Sequence, residues 1–568
     1  MGKELEDLFA AVGSFGPYQK WMVGFVLIPV SFIIAYVNHS LVFQLYVPEY
    51  WCHVPGRTKT SLSLDQWKNL TIPRENGEFS SCHHYQITWE NESDDNFTVS
   101  NETVACSQGW EHDRYEFLET VATLNNWLCD KEKYSSYMMS MSTIGNAVGT
   151  LVIPVLADKY IGRRVAFYIA IGLQAMFTAA VVWAPTFEFH LAFRFLAGLG
   201  YQCNYQMPFM TVMEFVSVNK RTLVVFLSSV GWIMGFCCSS LVSWILPDWR
   251  YQALACCVPM ILSFMYIFCL PESPRWLMAQ GKSEECVDVF IMIAQKNRRP
   301  PPERAELERK IELIMDLDPV EHSLLKIIRH PKLCMRALLL FITGCCVYIV
   351  QGVVNSSITI YSNYYLDSVL ISLADLPGCH LGCLLVHYFG RRFTFILTSL
   401  FGLAFCATSL IVFQDKWKCL LVMALIKLSF SMSIYALLVY STEIFPTTVR
   451  STGFAWISVC GFTAVTASSY IINSNLGTSF PYWIMLALSG VSFLATLFLP
   501  ETIGLPLPQN FQEAEDINVG RPLTSWIHMW NYFEYFSTPD PFDVSPQYRQ
   551  ELEVFDGRSD RRKSDAQC

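Results

Sequence analysis

LADKYIGRR (156–164) and LLVHYFGRR (384–392) each close a long apolar stretch with a Gly-Arg-Arg step. Gly162 and Gly390 stand 228 positions apart. Two more motif pairs recur in the same order. EFVSVNKR, with Glu214 and Arg221, returns as EIFPTTVR, with Glu443 and Arg450; PES from Pro271 returns as PET from Pro500; both offsets are 229. A spacing that stays at 228 or 229 over three motifs identifies an internal duplication. Duplicated helical units that enclose a cavity are a transporter architecture, with the substrate site between the repeats near mid-membrane.

The chain of 568 residues is 52% hydrophobic and 16% charged, with mean hydropathy +0.31. Soluble domains carry about a quarter charged residues. Apolar runs such as WMVGFVLIPVSFIIAYV from Trp21 recur along the whole length, and about 20 such residues cross a bilayer as a helix. We read twelve spans, starting near Trp21, Tyr134, Val165, Glu188, Thr222, Tyr251, Leu333, Tyr364, Phe393, Lys418, Ser451 and Pro481. The ten-residue alternation of a membrane β-barrel is missing. The first run is too long for a signal peptide and lacks a small-residue cleavage site, so it reads as a retained span. Net charge is −9, with acids gathered in the first loop and the tail. No basic stripe marks a nucleic-acid partner.

Basic residues orient the spans. Lys159, Arg163, Arg164, Lys220, Arg221, Arg391, Arg392 and Arg450 fall on one side, and only Arg250, Lys416 and Lys418 on the other. That places the Gly-Arg-Arg turns and both termini in the cytoplasm. The long first loop agrees, with sequons at Asn69, Asn91, Asn96 and Asn101 beside Cys52, Cys82, Cys106 and Cys129. Glycans and disulfides belong to the lumenal or extracellular side. Four cysteines allow three pairings, and sequence does not choose among them. The expected organisation is a cytoplasmic N-terminus (1–20), a first six-helix half (21–270) containing the extracellular loop (48–133), a cytoplasmic linker (271–332), a second half (333–500) and a cytoplasmic tail (501–568).

On these residues the chain resembles the major facilitator superfamily, and more narrowly its animal organic cation, organic anion and carnitine transporters. The pieces that carry the resemblance are VGSFGPYQ (12–19), NNWLCD (125–130), LADKYIGRR, PESPRWL (271–277), EIFPTTVR (443–450) and PET, and together they cover about Glu4 to Pro506. The resemblance implies an all-α membrane protein of twelve helices in two pseudo-symmetric halves. Two departures stand out. The first turn has one residue more than the family's D-R-x-G-R-R, running Asp158, Lys159, Tyr160, Ile161, Gly162. In the second copy, His387 and Tyr388 stand where the acid and base usually sit.

The motifs place acids and bases at helix ends: Asp158, Glu214, Glu272, Glu443 and Glu501 opposite Arg163, Arg164, Arg221, Arg275, Arg391, Arg392 and Arg450. Ion pairs there would bridge the halves when the inner face is closed and break when it opens, biasing a rocking equilibrium. Ionisable groups inside spans are costly and functional by default; they are Arg194, Asp375, His380 and Lys427. Asp375 lies about fifteen residues, roughly 22 Å of helix, from Gly390. It precedes Leu-Pro where the family's cation transporters carry a Glu before Phe-Pro, so the resemblance implies a substrate-site acid. By family position Trp232, Gln351 and Tyr435 complete the cavity, with Asn38 and His39 as further polar candidates. Phe462 stands where cation transporters tend to carry Asp and anion or carnitine transporters Arg, so the usual charge selector is gone.

An acid and a base in one cavity suit a small amine or zwitterion resembling carnitine, β-alanine or carcinine. The expected protein is therefore a plasma-membrane carrier of such a substrate, with sodium or a proton as possible coupling ion. An organic anion exchanger and a transport-dead sensor on the same fold are the alternatives. No nucleophile elbow, HExxH or phosphate-cradling glycine loop occurs, so neither an enzyme, a cofactor nor a metal is expected.

Overall fold

The computed structural model describes residues 8–9, 12–13, 15–57, 60, 62–75, 78–89, 97–114, 117–216, 218–268, 270–316, 329–356, 364–446, 450–472, 474, 477, 479–502, 508 and 511–517. The side chains of Arg221, Arg450 and Phe462, the sequons at Asn91 and Asn96, and the tail from 518 lie outside the described residues.

The first half contains α1 (Pro17–Gln44), α2 (Lys133–Leu156), α3 (Gly162–Ala180), α4 (Phe187–Phe215), α5 (Val218–Ile245) and α6 (Trp249–Leu262). Helices α7 (Ser283–Lys296) and α8 (Arg304–Asp316) lie in the linker. The second half holds α9 (Pro331–Ser356), α10 (Tyr364–Leu373), α11 (Asp375–Phe389), α12 (Arg391–Val412), α13 (Lys416–Ile444), α14 (Arg450–Ile472) and α15 (Phe480–Thr496). A short α16 (Phe511–Asp516) follows. Among the described residues, seven helical segments are long and apolar enough to cross a membrane. Each half packs mainly on itself, α2 with α4 and α1 with α5 in the first, α9 with α14 and α12 with α13 in the second.

Two breaks in helix geometry have local causes. The extra residue of the first turn is absorbed by a π-turn at Ala157–Ile161, the usual way a helix takes up a one-residue insertion. The segment expected as one eighth span is split between α10 and α11 at Ala374. Pro377 cannot donate to the carbonyl four residues back, and its ring crowds that carbonyl. The break puts Asp375 at the first position of a half-helix.

The long loop after α1 is folded. β1 (Tyr50–Cys52) pairs antiparallel with β6 (Trp110–His112), β2 (Arg74–Glu75) with β3 (Glu78–Phe79), and β4 (His83–Trp89) with β5 (Phe97–Ala105). Disulfides join Cys52 to Cys106 and Cys82 to Cys129, which selects one of the three possible pairings. Cys52, Val54 and Trp67 form the small core of this unit. So few apolar residues cannot hold a fold by burial alone, and the cross-links limit the unfolded chain instead. Asn69 is exposed on the short helix Leu64–Thr71.

On this face the halves meet through aromatic rings. Phe43 of α1 lies 5.1 Å from the ring of Tyr364 and 5.7 Å from that of Tyr365. Phe117 packs on the same two tyrosines. Ser140 of α2 donates to the Tyr470 hydroxyl of α14 at 2.8 Å.

Candidate functional site

A cavity of about 130 Å³ lies between the halves. Its first-half wall includes Asn38 and His39 of α1, Asn146 of α2, Gln174 and Thr178 of α3, Arg194 and Tyr201 of α4, and Phe236 of α5. Its second-half wall includes Gly352, Asn355 and Ser356 of α9 and Val465, Thr466 and Ser468 of α14. Clefts for drug-sized ligands run to about 300–1,000 Å³, so the space suits a small molecule.

Of the residues picked from sequence, Arg194, Asn38 and His39 line the cavity. The His39 ring is 2.8 Å from the Ser368 hydroxyl, which also accepts from Ser240 at 2.9 Å, so one serine of α10 ties to two helices of the other half. Arg194 is 5% exposed, and its Nη2 donates to Gln44 Oε1 at 2.7 Å. Gln44 in turn donates to Ser40.

Asp375 and Lys427 stand behind the cavity wall. Lys427 Nζ is 3.1 Å from Asp375 and donates to Asn355 Oδ1 at 2.6 Å. Ser431 donates to the other Asp375 oxygen and accepts from Gln351 Nε2 at 3.1 Å. The acid and base thus neutralise one another, and Asn355 links the pair to the cavity. Removing one member of such a buried pair costs far more than removing both. Phe236 places its ring 6.0 Å from Lys427 Nζ, the outer limit of a cation–π contact. Trp232 packs edge-on against Phe236 and Tyr205. Tyr435 packs with the apolar cluster around Tyr440 and Phe445, and the rings of His380 and Phe226 sit 4.9 Å apart across the halves. None of Trp232, Tyr435 and His380 lines the cavity. Asn355 and Phe236 escaped the sequence reading, although Asn355 lies one turn after Gln351 in QGVVN and so shares its face. Asp367, 1% exposed in α10, escaped too.

At the Gly-Arg-Arg face each half builds the same cage. In the first, Arg163 pairs with Glu214, Ser273 donates to Glu214, and Glu272 accepts the backbone N–H groups of Arg163 at 2.9 Å, Arg164 at 3.2 Å and Ser273 at 3.1 Å. In the second, Arg391 pairs with Glu443 at 2.6 Å, Thr502 donates to Glu443 at 2.6 Å, and Glu501 accepts the N–H groups of Arg391 at 3.1 Å, Arg392 at 3.0 Å and Thr502 at 2.9 Å. Both carboxylates therefore sit on the N-terminus of a helix, where orphan donors and the helix dipole favour an anion. Gly162 (φ +79°) and Gly390 (φ +92°) make the turns, and a Cβ on either would strike that carboxylate. Burial raises the Glu272 pKa above its usual range, against the three N–H bonds that lower it.

The motifs predict ion pairs that bridge the halves; Arg163–Glu214 and Arg391–Glu443 instead close within one half each. The arginine and the two acids of each cage come from a single repeat, so the pairs act first as internal braces. Asp158 is exposed and 3.7 Å from Arg163 Nε. Arg392 donates to the Leu497 carbonyl at 2.7 Å, and Arg275 has its Nε buried. Linker helix α7 adds a clasp: Asn297 donates to the carbonyls of Val12 and Gly13 and accepts from the Tyr18 N–H, each at 3.0 Å. The VGSFGPYQ motif is thus the segment held by the linker.

Residues 86–512 match the family described as "Sugar (and other) transporter". Similar curated proteins include the carcinine transporter of Drosophila melanogaster (26% identical, covering 90% of this chain and 79% of that one). The beta-alanine transporter of the same fly is 27% identical over 90% and 89%. The human organic cation/carnitine transporter 2 is 24% identical over 90% and 94%. Among solved structures, the xylose transporter XylE from E. coli, partially occluded and inward open, aligns with a TM-score of 0.52 and 21% identity, over 66% of this chain and 90% of that one. With the twofold cage, the interfacial cavity and a family match over most of its length, the chain belongs to the sugar (and other) transporter family of the major facilitator superfamily and is a membrane transporter, not an enzyme.

Proposed function

We propose that the protein carries a small organic amine or zwitterion across the plasma membrane by alternating access, with the Gly-Arg-Arg turns and both termini in the cytoplasm. The observation that carries this reading is the small polar cavity whose walls come from both halves. The relatives named for carcinine, beta-alanine and carnitine support the substrate class. Asp375, Lys427 and Gln351 act on the substrate through Asn355, and Trp232 through Phe236. The cages of Arg163, Glu214 and Glu272 and of Arg391, Glu443 and Glu501 keep each half rigid as it rocks. Arg221, Arg275 and Arg450 belong to the same gating face by motif. The loop between α1 and α2 is extracellular and glycosylated at Asn69, Asn91, Asn96 and Asn101.

Uptake of labelled β-alanine, carcinine and carnitine into oocytes or proteoliposomes tests this, with and without sodium and at two pH values. Saturable uptake of at least one, inhibited by the others, is the expected result. Uptake confined to simple organic anions would favour an exchanger, a reading that Arg194 in the wall keeps open. No uptake of any of these would favour a sensor.

A further inference from the structure

We infer that Arg194 is the carboxylate site of the transported molecule, and that the ammonium end lies against Tyr201 and Thr466. This rests on the zwitterion reading above and goes beyond it by assigning each end of the substrate. Three buried polar atoms without a partner among the described residues point to it: Arg194 Nε, Tyr201 Oη and Thr466 Oγ1. Arg194 is 95% buried and lines the cavity, yet its only hydrogen-bond partner among the described residues is the neutral amide of Gln44, and its Nε has none. No described carboxylate pairs with it. Asp375, the acid expected to balance the cavity, is taken by Lys427. A guanidinium shut away from water without a counter-charge is costly, and it presents a planar fork that matches a carboxylate.

The other two groups are hydroxyls that line the same cavity, Tyr201 Oη and Thr466 Oγ1, both buried without a hydrogen-bond partner among the described residues. Each can accept a bond from an ammonium group. Arg194 and Tyr201 belong to α4 in the first half, and Thr466 to α14 in the second. A molecule with an acid at one end and an amine at the other would therefore complete bonds in both halves at once. Such a ligand stabilises the closed arrangement over the open ones, which is what a carrier needs in order to couple occupancy to rocking. A simple amine satisfies Thr466 and leaves Arg194 unpaired.

Two measurements test the assignment. In uptake assays corrected for surface expression, Arg194→Gln should raise the KM for β-alanine at least tenfold while changing uptake of propylamine, which lacks the carboxylate, by less than twofold. Arg194→Lys should fall between. Equal effects on both compounds, or none on β-alanine, would overturn the assignment. The second measurement uses wild-type protein and does not depend on transport or on the variant folding. Modification of Arg194 by an arginine-directed dicarbonyl, followed by mass spectrometry, should be slowed severalfold by β-alanine and by propionate but not by propylamine. If β-alanine is not carried yet propionate protects, the substrate class is wrong and the anion site stands. If neither carboxylate protects, the site falls whatever the substrate.

Discussion

Glu272 and Glu501, 229 positions apart, do the same work: each carboxylate accepts the backbone N–H groups of both arginines in a Gly-Arg-Arg turn and that of the residue following it. Charge-assisted bonds of this type contribute about 1.5–3 kcal/mol each. Glu272→Gln and Glu501→Gln should each lower the thermal unfolding midpoint of the purified carrier, by comparable amounts. A large effect from one and none from the other would mean that the geometric twofold is not an energetic one.

The turns themselves give a second prediction. Gly162→Ala and Gly390→Ala force a side chain into left-handed backbone, which costs about 1–2 kcal/mol, and push it against the capping acid as well. Both should reduce stability by more than 1 kcal/mol, a sum that includes the strain of displacing the carboxylate. Expression level with a fluorescence-detected thermal ramp reads this out.

Asp375 and Lys427 form a buried pair, so single neutralisations should be worse than the double. Leaving one charge behind costs about 3–5 kcal/mol, while replacing both is near neutral for folding. Asp375→Asn and Lys427→Gln should each destabilise strongly, and the double variant should recover most of the lost thermal stability. If the double is no better than the singles, the two groups act independently.

The end of the chain's described part supplies a pH dependence. Glu515 of α16 accepts from the Lys332 N–H at 3.1 Å and lies 3.2 Å from His330 Nδ1. Desolvation raises its pKa, but the bonds from His330 and Lys332 outweigh that, and the net shift is downward. A carboxyl depressed by folding stabilises the docked state above its unfolded pKa, about 4.3, and loses that contribution as pH falls through the folded value. Hydrogen exchange in residues 511–517 should be slow at neutral pH and accelerate under acid. Glu515→Gln should exchange faster at neutral pH and show little further change.

The duplication was legible because its markers are rigid: a glycine that must be left-handed and an acid that must cap the next turn recur at spacings of 228 and 229. The buried acid and base were legible too, since charge inside an apolar run is conspicuous. What stayed hidden depends on three-dimensional choice. Cys52 could have met any of three partners. The π-turn at Ala157–Ile161 showed only as one residue too many, and Asp375 and Lys427 only as two charges in separate spans. Phe236 was lost among the aromatics of a chain that is 14% Phe, Trp and Tyr, and Trp232 and Tyr435 went to packing rather than to the cavity.

The proposed alternating access requires relative motion of the halves, and the contact between Ser140 and Tyr470 is where that motion can be blocked. Cysteines at these two positions, joined by a short bifunctional thiol reagent in proteoliposomes, should abolish uptake in proportion to cross-linking, and a cleavable linker should restore it on reduction. Either single cysteine treated alike should keep its activity. Full cross-linking with uptake unchanged would contradict a mechanism in which the two halves must separate on this face.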